Sequence, residues 1–110
     1  MPTPQDFFDI DIRVGTVLRA EAFDRAVKPA IRLEIDFGPD MGIKRSSAQL
    51  TTHYTAETLI GRQVVAVTNI GTRNIAGFVS EVLVLGAMPV PTEVVLLAPG
   101  HPVANGVRIG

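Results

Sequence analysis

The chain has no cysteine and no tryptophan in its 110 residues, and it has a single tyrosine. Without thiols there is no disulfide, no thiolate nucleophile and no zinc site built on sulfur. One tyrosine and five phenylalanines leave few platforms on which nucleic-acid bases stack. An excess of one charge is missing too: ten Lys+Arg stand against eleven Asp+Glu, for a net charge of −1. A protein that grips duplex nucleic acid over its whole surface is strongly basic, so bulk charge argues against that class and leaves local patches open. No run reaches the roughly 18 consecutive apolar residues that a membrane-spanning helix needs. The opening Met1-Pro2-Thr3-Pro4-Gln5-Asp6 has no basic segment leading into an apolar one, so it does not have the pattern of a signal peptide. A soluble, cytoplasmic protein with no membrane insertion is the expectation.

What is present is a globular composition, 46% hydrophobic and 19% charged, at a length that suits one domain over residues 1–110. Several short runs alternate with the period of a half-buried strand. In the first, Ile12, Val14, Thr16, Leu18 and Ala20 share a face, with Arg13, Val17, Arg19 and Glu21 on the other. In the second, Ile31, Leu33, Ile35 and Phe37 face one way and Arg32, Glu34 and Asp36 the other, before a Gly38-Pro39-Asp40 turn. A third, polar run spans Ile43 to Gln49. Thr55-Ala56-Glu57-Thr58 reads as a capped helix start that Gly61 ends. Valine-rich strands follow at Gln63 to Ile70 and Glu81 to Leu85, then a short sixth at Glu93 to Ala98 and a terminal tag at Val107 to Ile109. Five principal strands with one helix between the third and fourth predict an all-β fold: a five-stranded Greek-key OB-fold barrel with terminal extensions. A doubly wound or ferredoxin-like fold needs at least two longer helices, and none is found.

The signals for catalysis are poor. His53 and His101 are the only histidines, they sit in unlike contexts, and they read as surface residues, not a metal pair. Ser46-Ser47 has no base near it in sequence, and Gly71, Gly77 and Gly86 fall in turns or strand ends, not in a phosphate-binding loop. No catalytic residue, metal or cofactor is expected. Two segments point to binding. Lys44, Arg45, Ser46, Ser47 and Gln49 place two cations and several hydrogen-bonding groups on one strand. They read equally as a ligand face or as a solvated edge whose charges discourage sheet-to-sheet pairing. Asn69 to Ser80 reads as a long loop bearing Arg73, Asn74 and Phe78. It either reaches a ligand or tucks Ile75 and Phe78 into the barrel end.

The motifs then converge. Asp11-Ile12-Arg13-Val14-Gly15-Thr16-Val17 resembles the opening of the tRNA-binding OB-fold of some methionyl- and phenylalanyl-tRNA synthetases and of free-standing dimeric tRNA-binding proteins. Pro29 to Leu33, Ile35 to Gly38, Gly42 to Gln49 and, most specifically, Ile75 to Gly86 are similar to the CsaA secretion-chaperone family within that superfamily. The resemblance covers about Asp6 to Gly110. It implies a non-enzymatic homodimer that binds unfolded or presecretory polypeptides, with tRNA as the rival partner. Against tRNA, the segment Phe23 to Pro29 carries only Arg25 and Lys28, and Glu81 stands where the tRNA-binding relatives have an amide. The expected ligand face, for peptide or RNA, comprises Lys44, Arg45, Ser46, Ser47, Gln49, Arg73, Asn74, Phe78 and Ser80. The expected dimer contact comprises Phe7, Phe8, Val94, Leu97, Val103 and Ile109, because two adjacent phenylalanines at a terminus cannot both enter a small barrel.

Overall fold

The computed structural model describes residues 1–23 and 29–110, so Arg25 and Lys28 lie outside the described residues. In chain order the elements are α1 (Pro4–Phe8), β1 (Ile12–Phe23), β2 (Ala30–Asp36), β3 (Ile43–Ala48), α2 (Ala56–Leu59), β4 (Gln63–Val67), β5 (Arg73–Ile75), β6 (Phe78–Ser80), β7 (Leu83–Val84), β8 (Gly86–Ala87) and β9 (Val95–Leu96). Five strands form one antiparallel sheet in the order β3-β2-β1-β4-β7, curled into the half-barrel of an OB-fold. The one helix between β3 and β4 is α2, capped by the Thr55 hydroxyl as its sequence predicts.

The second apolar run behaves as its alternation requires: Ile31, Leu33, Ile35 and Phe37 are all buried in the core with Val17, Leu50, Leu59, Val64, Ala66 and Val82. The first run does not. Val17 pairs with Ile35 and Arg19 with Glu34, so Leu18 is an extra residue in a β-bulge. The bulge inverts the alternation. Before it Val17 faces the core; after it Ala20 and Ala22 lie opposite Leu33 and Ile31, and Leu18 is left exposed. Alternation read straight through the strand put Leu18 and Ala20 on one face, and the bulge separates them.

Gly15 lies opposite Val64 on the inner face of β1, where a Cβ would stand 2.6 Å from Ile35 Cγ2 and 2.9 Å from the Phe37 ring. The tight curl of the sheet brings those side chains against bare backbone. Where β2 leaves β1, the C-terminal segment takes its place: Gly106 N–H donates to Val14 O at 2.7 Å and Ile109 N–H donates to Ile12 O at 2.9 Å. The Gln63 carboxamide holds Val103 at both its C=O (2.7 Å) and its N–H (3.1 Å). The expected terminal tag thus pairs with the barrel, through an isolated bridge between Arg13 and Arg108. At the other end, α1 has a Thr3 cap closed by Asp6, and Pro4 begins its first turn.

The N-terminal junction is polar. Asp11 accepts from the Thr68 hydroxyl and, at 2.9 Å, from Arg13 Nε, and these contacts hold its carboxyl below the ordinary aspartate range against the opposing effect of burial. A depressed carboxylate contributes stability that is present above its unfolded value and lost as pH falls through the folded one. Acid titration monitored by amide signals of Asp11 and Thr68 should therefore show this junction loosening at a lower pH than an ordinary aspartate titrates, and Asp11→Asn should abolish that step. Gly15→Ala should lower unfolding free energy by about 1–3 kcal/mol, read from denaturant midpoints at unchanged slope.

Candidate functional site

The curled sheet brings its edge strands β3 and β7 together without a ladder between them. They are stitched over one short stretch instead. Glu81 N–H donates to Arg45 O at 2.8 Å, Ser47 N–H donates to Ser80 Oγ at 3.1 Å, and Ser46 Oγ donates to Val82 O at 3.1 Å. Beyond that stitch lies a groove of about 860 Å³. One side is the end of β3, with Ser47, Ala48 and Gln49; the other holds Leu83, Val84, Leu85 and Met88; Ile75, Ala76 and Val94 complete it. Arg73 is the one cation among its lining residues.

The segment expected as a long loop is a hairpin, β5 paired with β6. Its two turn residues, Ala76 and Gly77, both have positive φ (51° and 84°), which matches the right-handed twist of a two-residue hairpin. Asn74 Oδ1 accepts from Gly77 N–H at 2.9 Å and fixes that turn. The hairpin is held to the barrel by Arg32, an outward residue of β2. The Arg32 guanidinium lies 3.4 Å over the Phe23 ring and 4.8 Å from the Phe78 ring, and its Nη2 donates to Ala76 O at 3.4 Å. Arg45 approaches the same Phe78 ring at 5.2 Å.

These placements divide the expected ligand face. Ser47, Gln49 and Arg73 line the groove. Arg45 and Phe78 belong to a second, shallower pocket of about 250 Å³ on the outer face, with Arg19, Glu21, Arg32 and Glu34. Lys44 pairs with Ile35, so strand alternation puts it on the inner face of the sheet, away from Arg45. Ser46 and Ser80 are 1% and 8% exposed, and their hydroxyls serve the stitch, so neither presents a group to a ligand. Asn74 is committed to the hairpin turn. Inward-pointing polar residues on β3 are invisible as such until the register is known. The apolar wall at Leu83, Leu85 and Met88 was missed because a short valine- and leucine-rich strand reads as core.

Of the expected dimer residues, Phe7, Phe8 and Leu97 are exposed, Val103 and Ile109 are half-buried, and Val94 lines the groove and packs on the core. Arg108 Nη2 donates to Phe8 O at 2.8 Å, which joins the N-terminal helix to the C-terminal segment. His53 Nε2 lies 2.7 Å from Glu93 Oε2. Among the described residues no three His, Asp or Glu side chains are grouped to hold a metal, and no helix is long and apolar enough to cross a membrane.

Arg32→Ala removes the wedge between two rings and the tie to Ala76. Each exposed cation–π contact is worth about 0.5–1 kcal/mol, so the hairpin should open more often. Faster amide exchange confined to residues 73–80, with the β1–β4 ladder unchanged, is the expected outcome.

Residues 12–108 match the family described as "Putative tRNA binding domain". Over 105 residues, 96% of this chain, the sequence is 34% identical to the methionine–tRNA ligase of Porphyromonas gingivalis, of which it spans only 15%. Among solved structures, the chaperone CsaA of Bacillus anthracis superposes with a TM-score of 0.95 at 53% identity, covering 100% of this chain and 99% of that one. CsaA of Picrophilus torridus superposes with a TM-score of 0.91 at 44% identity, with both chains covered completely.

Proposed function

The chain belongs to the tRNA-binding-domain family, within its CsaA group, and from that premise we propose that it is a non-enzymatic, cytoplasmic chaperone. It acts as a homodimer of one OB-fold domain and binds unfolded or pre-export polypeptides in support of secretion. The observation that carries this reading is the groove, whose walls are aliphatic apart from Ser47, Gln49 and Arg73. An apolar cleft with a few polar groups at its rim suits the side chains of an unfolded chain. It offers a phosphate backbone a single cation. On the outer face the arginines are interleaved with carboxylates: Arg19 pairs with Glu34 at 3.4 Å and Arg45 with Glu81 at 3.8 Å. Such pairing leaves no continuous basic track there among the described residues.

A tRNA-binding role is the second reading, favoured by the family match and by the Arg32–Phe78–Arg45 stack, whose ring lies beside two guanidinium groups. Parallel titration with a tRNA pool and with an unfolded presecretory protein separates the two. Leu83→Asp and Met88→Asp, both at exposed groove positions, should weaken polypeptide binding at least tenfold and leave the melting temperature unchanged. If the ligand is tRNA, Arg45→Ala and Arg73→Ala should dominate, each lowering the log–log salt slope by about one. For assembly, the exposed Phe7 and Phe8 beside the C-terminal segment are the proposed two-fold contact. Light scattering should give twice the chain mass at micromolar protein, and Phe8→Asp should return it to the monomer.

A further inference from the structure

The C-terminal segment is held to the barrel through a dipeptide with chemistry of its own. Asn105-Gly106 is the one Asn-Gly pair in the sequence, since Asn69 and Asn74 each precede isoleucine. In such a pair the glycine nitrogen attacks the asparagine side-chain carbonyl with no Cβ to crowd its approach. Here both reacting groups are engaged elsewhere. Gly106 N–H donates to Val14 O at 2.7 Å, and Val14 N–H donates back to Val107 O at 3.0 Å. Asn105 Oδ1 accepts from Thr16 Oγ1 at 2.7 Å and from Gln63 Nε2 at 3.2 Å. The carboxamide and the backbone nitrogen are thus pinned to separate partners on β1 and β4. Neither swings toward the other while the segment is docked. The fold also requires the glycine: Gly106 has a φ of 89°, and a Cβ there would stand 2.5 Å from Phe37 O.

We propose that Asn105-Gly106 is a site of spontaneous deamidation that the docked C-terminal segment keeps shut, so that it reacts only when the segment lifts from β1. Once Gly106 N–H is free, hydroxide from solvent takes its proton and the nitrogen attacks Asn105 Cγ. A new C–N bond closes a succinimide ring, and the side-chain nitrogen leaves as ammonia. Water then opens the ring at either carbonyl, giving aspartate or isoaspartate; the net change is one water in and one ammonia out. The two products act differently on the fold. Aspartate keeps an acceptor oxygen where Thr16 and Gln63 donate. Isoaspartate routes the main chain through the side-chain carbon, which lengthens the backbone by one methylene and moves Gly106 out of register with Val14 O. The segment then cannot dock as before. Arg108, which donates to Phe8 O at 2.8 Å, is displaced with it, so the change reaches the N-terminal helix. Asn105 therefore records how long the chain's end has spent undocked.

The test incubates the full chain at mildly alkaline pH and follows Asn105 by peptide mass analysis, with the urea-unfolded chain as reference. Native Asn105 should deamidate at least tenfold more slowly than the unfolded chain, because the rate scales with the population of the lifted state. Gln63→Ala and the nearly isosteric Thr16→Val each remove a tie to Asn105. Both should raise the native rate severalfold, while Asn69 and Asn74 stay unmodified. The isoaspartate form, separated by chromatography, should exchange its Gly106 and Ile109 amides at least tenfold faster than the parent. Asn105→Asp should exchange them within about twofold of it. A native rate equal to the unfolded one overturns the proposal. So does a native rate that neither variant raises, or an isoaspartate form in which Gly106 and Ile109 remain protected.

Discussion

A five-stranded sheet that curls until its edges meet must either pair those edges or leave them open, and in this protein they meet over one short stretch. Everything at the site depends on that stitch. It takes Ser46 out of the solvent, turns Ser80 into a backbone acceptor and sets Glu81 against Arg45. Three polar side chains do here what a continuous ladder does in a closed barrel. Because they act at one place, no ladder joins the edges beyond it, and the groove opens there. A buried hydroxyl bonded to a carbonyl is inexpensive to keep, whereas an unbonded one costs on the order of 1–3 kcal/mol. Small hydroxylated residues are therefore suited to a seam that excludes water without supplying a core.

The curl itself comes from local features of β1. A bulge at Leu18 adds twist, and the missing side chain at Gly15 lets Ile35 and Phe37 close over the strand. The same bend parts β2 from the first half of β1, and the C-terminal segment fills the exposed edge. The chain's end is thus a structural strand by position, though too irregular to be counted in the main sheet. Sheet curvature, edge protection and the anchoring of both termini trace back to two neighbouring positions.

Much of this architecture was legible in the sequence, and its failures are physically specific. The alternation at Ile31 to Phe37 and the Thr55 cap carried their elements correctly, because one buried face and one hydroxyl cap are local signals. The bulge was not legible, since an inserted residue leaves the apolar composition unchanged and reverses only its phase. The β5–β6 hairpin was hidden by its turn: Ala76-Gly77 replaces the Asn-Gly that usually announces two positive φ values. Alanine is tolerated there because Asn74 and Arg32 hold the turn from outside. Arg32 looked like an ordinary outward residue of an amphipathic strand, and nothing local marks it as the wedge between Phe23 and Phe78. For the candidate site, the sequence pointed to β3 and to the segment that forms the hairpin, and residues of both line the groove. Which side chains share a surface depends on register, and register separated Lys44, Ser46 and Ser80 from Ser47, Gln49 and Arg73.

That separation bears on how one scaffold accommodates two ligand classes within a family. The groove and the outer face lie on either side of the same hairpin, with Ile75 lining one and Phe78 the other. On the groove side the available groups are aliphatic side chains with Ser47, Gln49 and Arg73 among them. On the outer side they are guanidinium groups, an aromatic ring and the carboxylates that neutralise them. Replacing Glu34 by a neutral residue frees Arg19 on the outer face without touching the stitch, whereas Glu81 also accepts from Arg45 N–H at 3.1 Å, so its loss frees the Arg45 side chain and takes one bond from the stitch. The converse change, charging Leu83 or Met88, closes the groove to apolar chains and leaves the outer face intact. In this chain Glu34 and Glu81 are retained beside Arg19 and Arg45, and this is what favours the proposed groove reading over a phosphate ligand on the outer face. The clamp between the faces is Arg32, whose guanidinium meets the Phe23 and Phe78 rings and whose Nη2 donates to Ala76 O at the turn that follows Ile75.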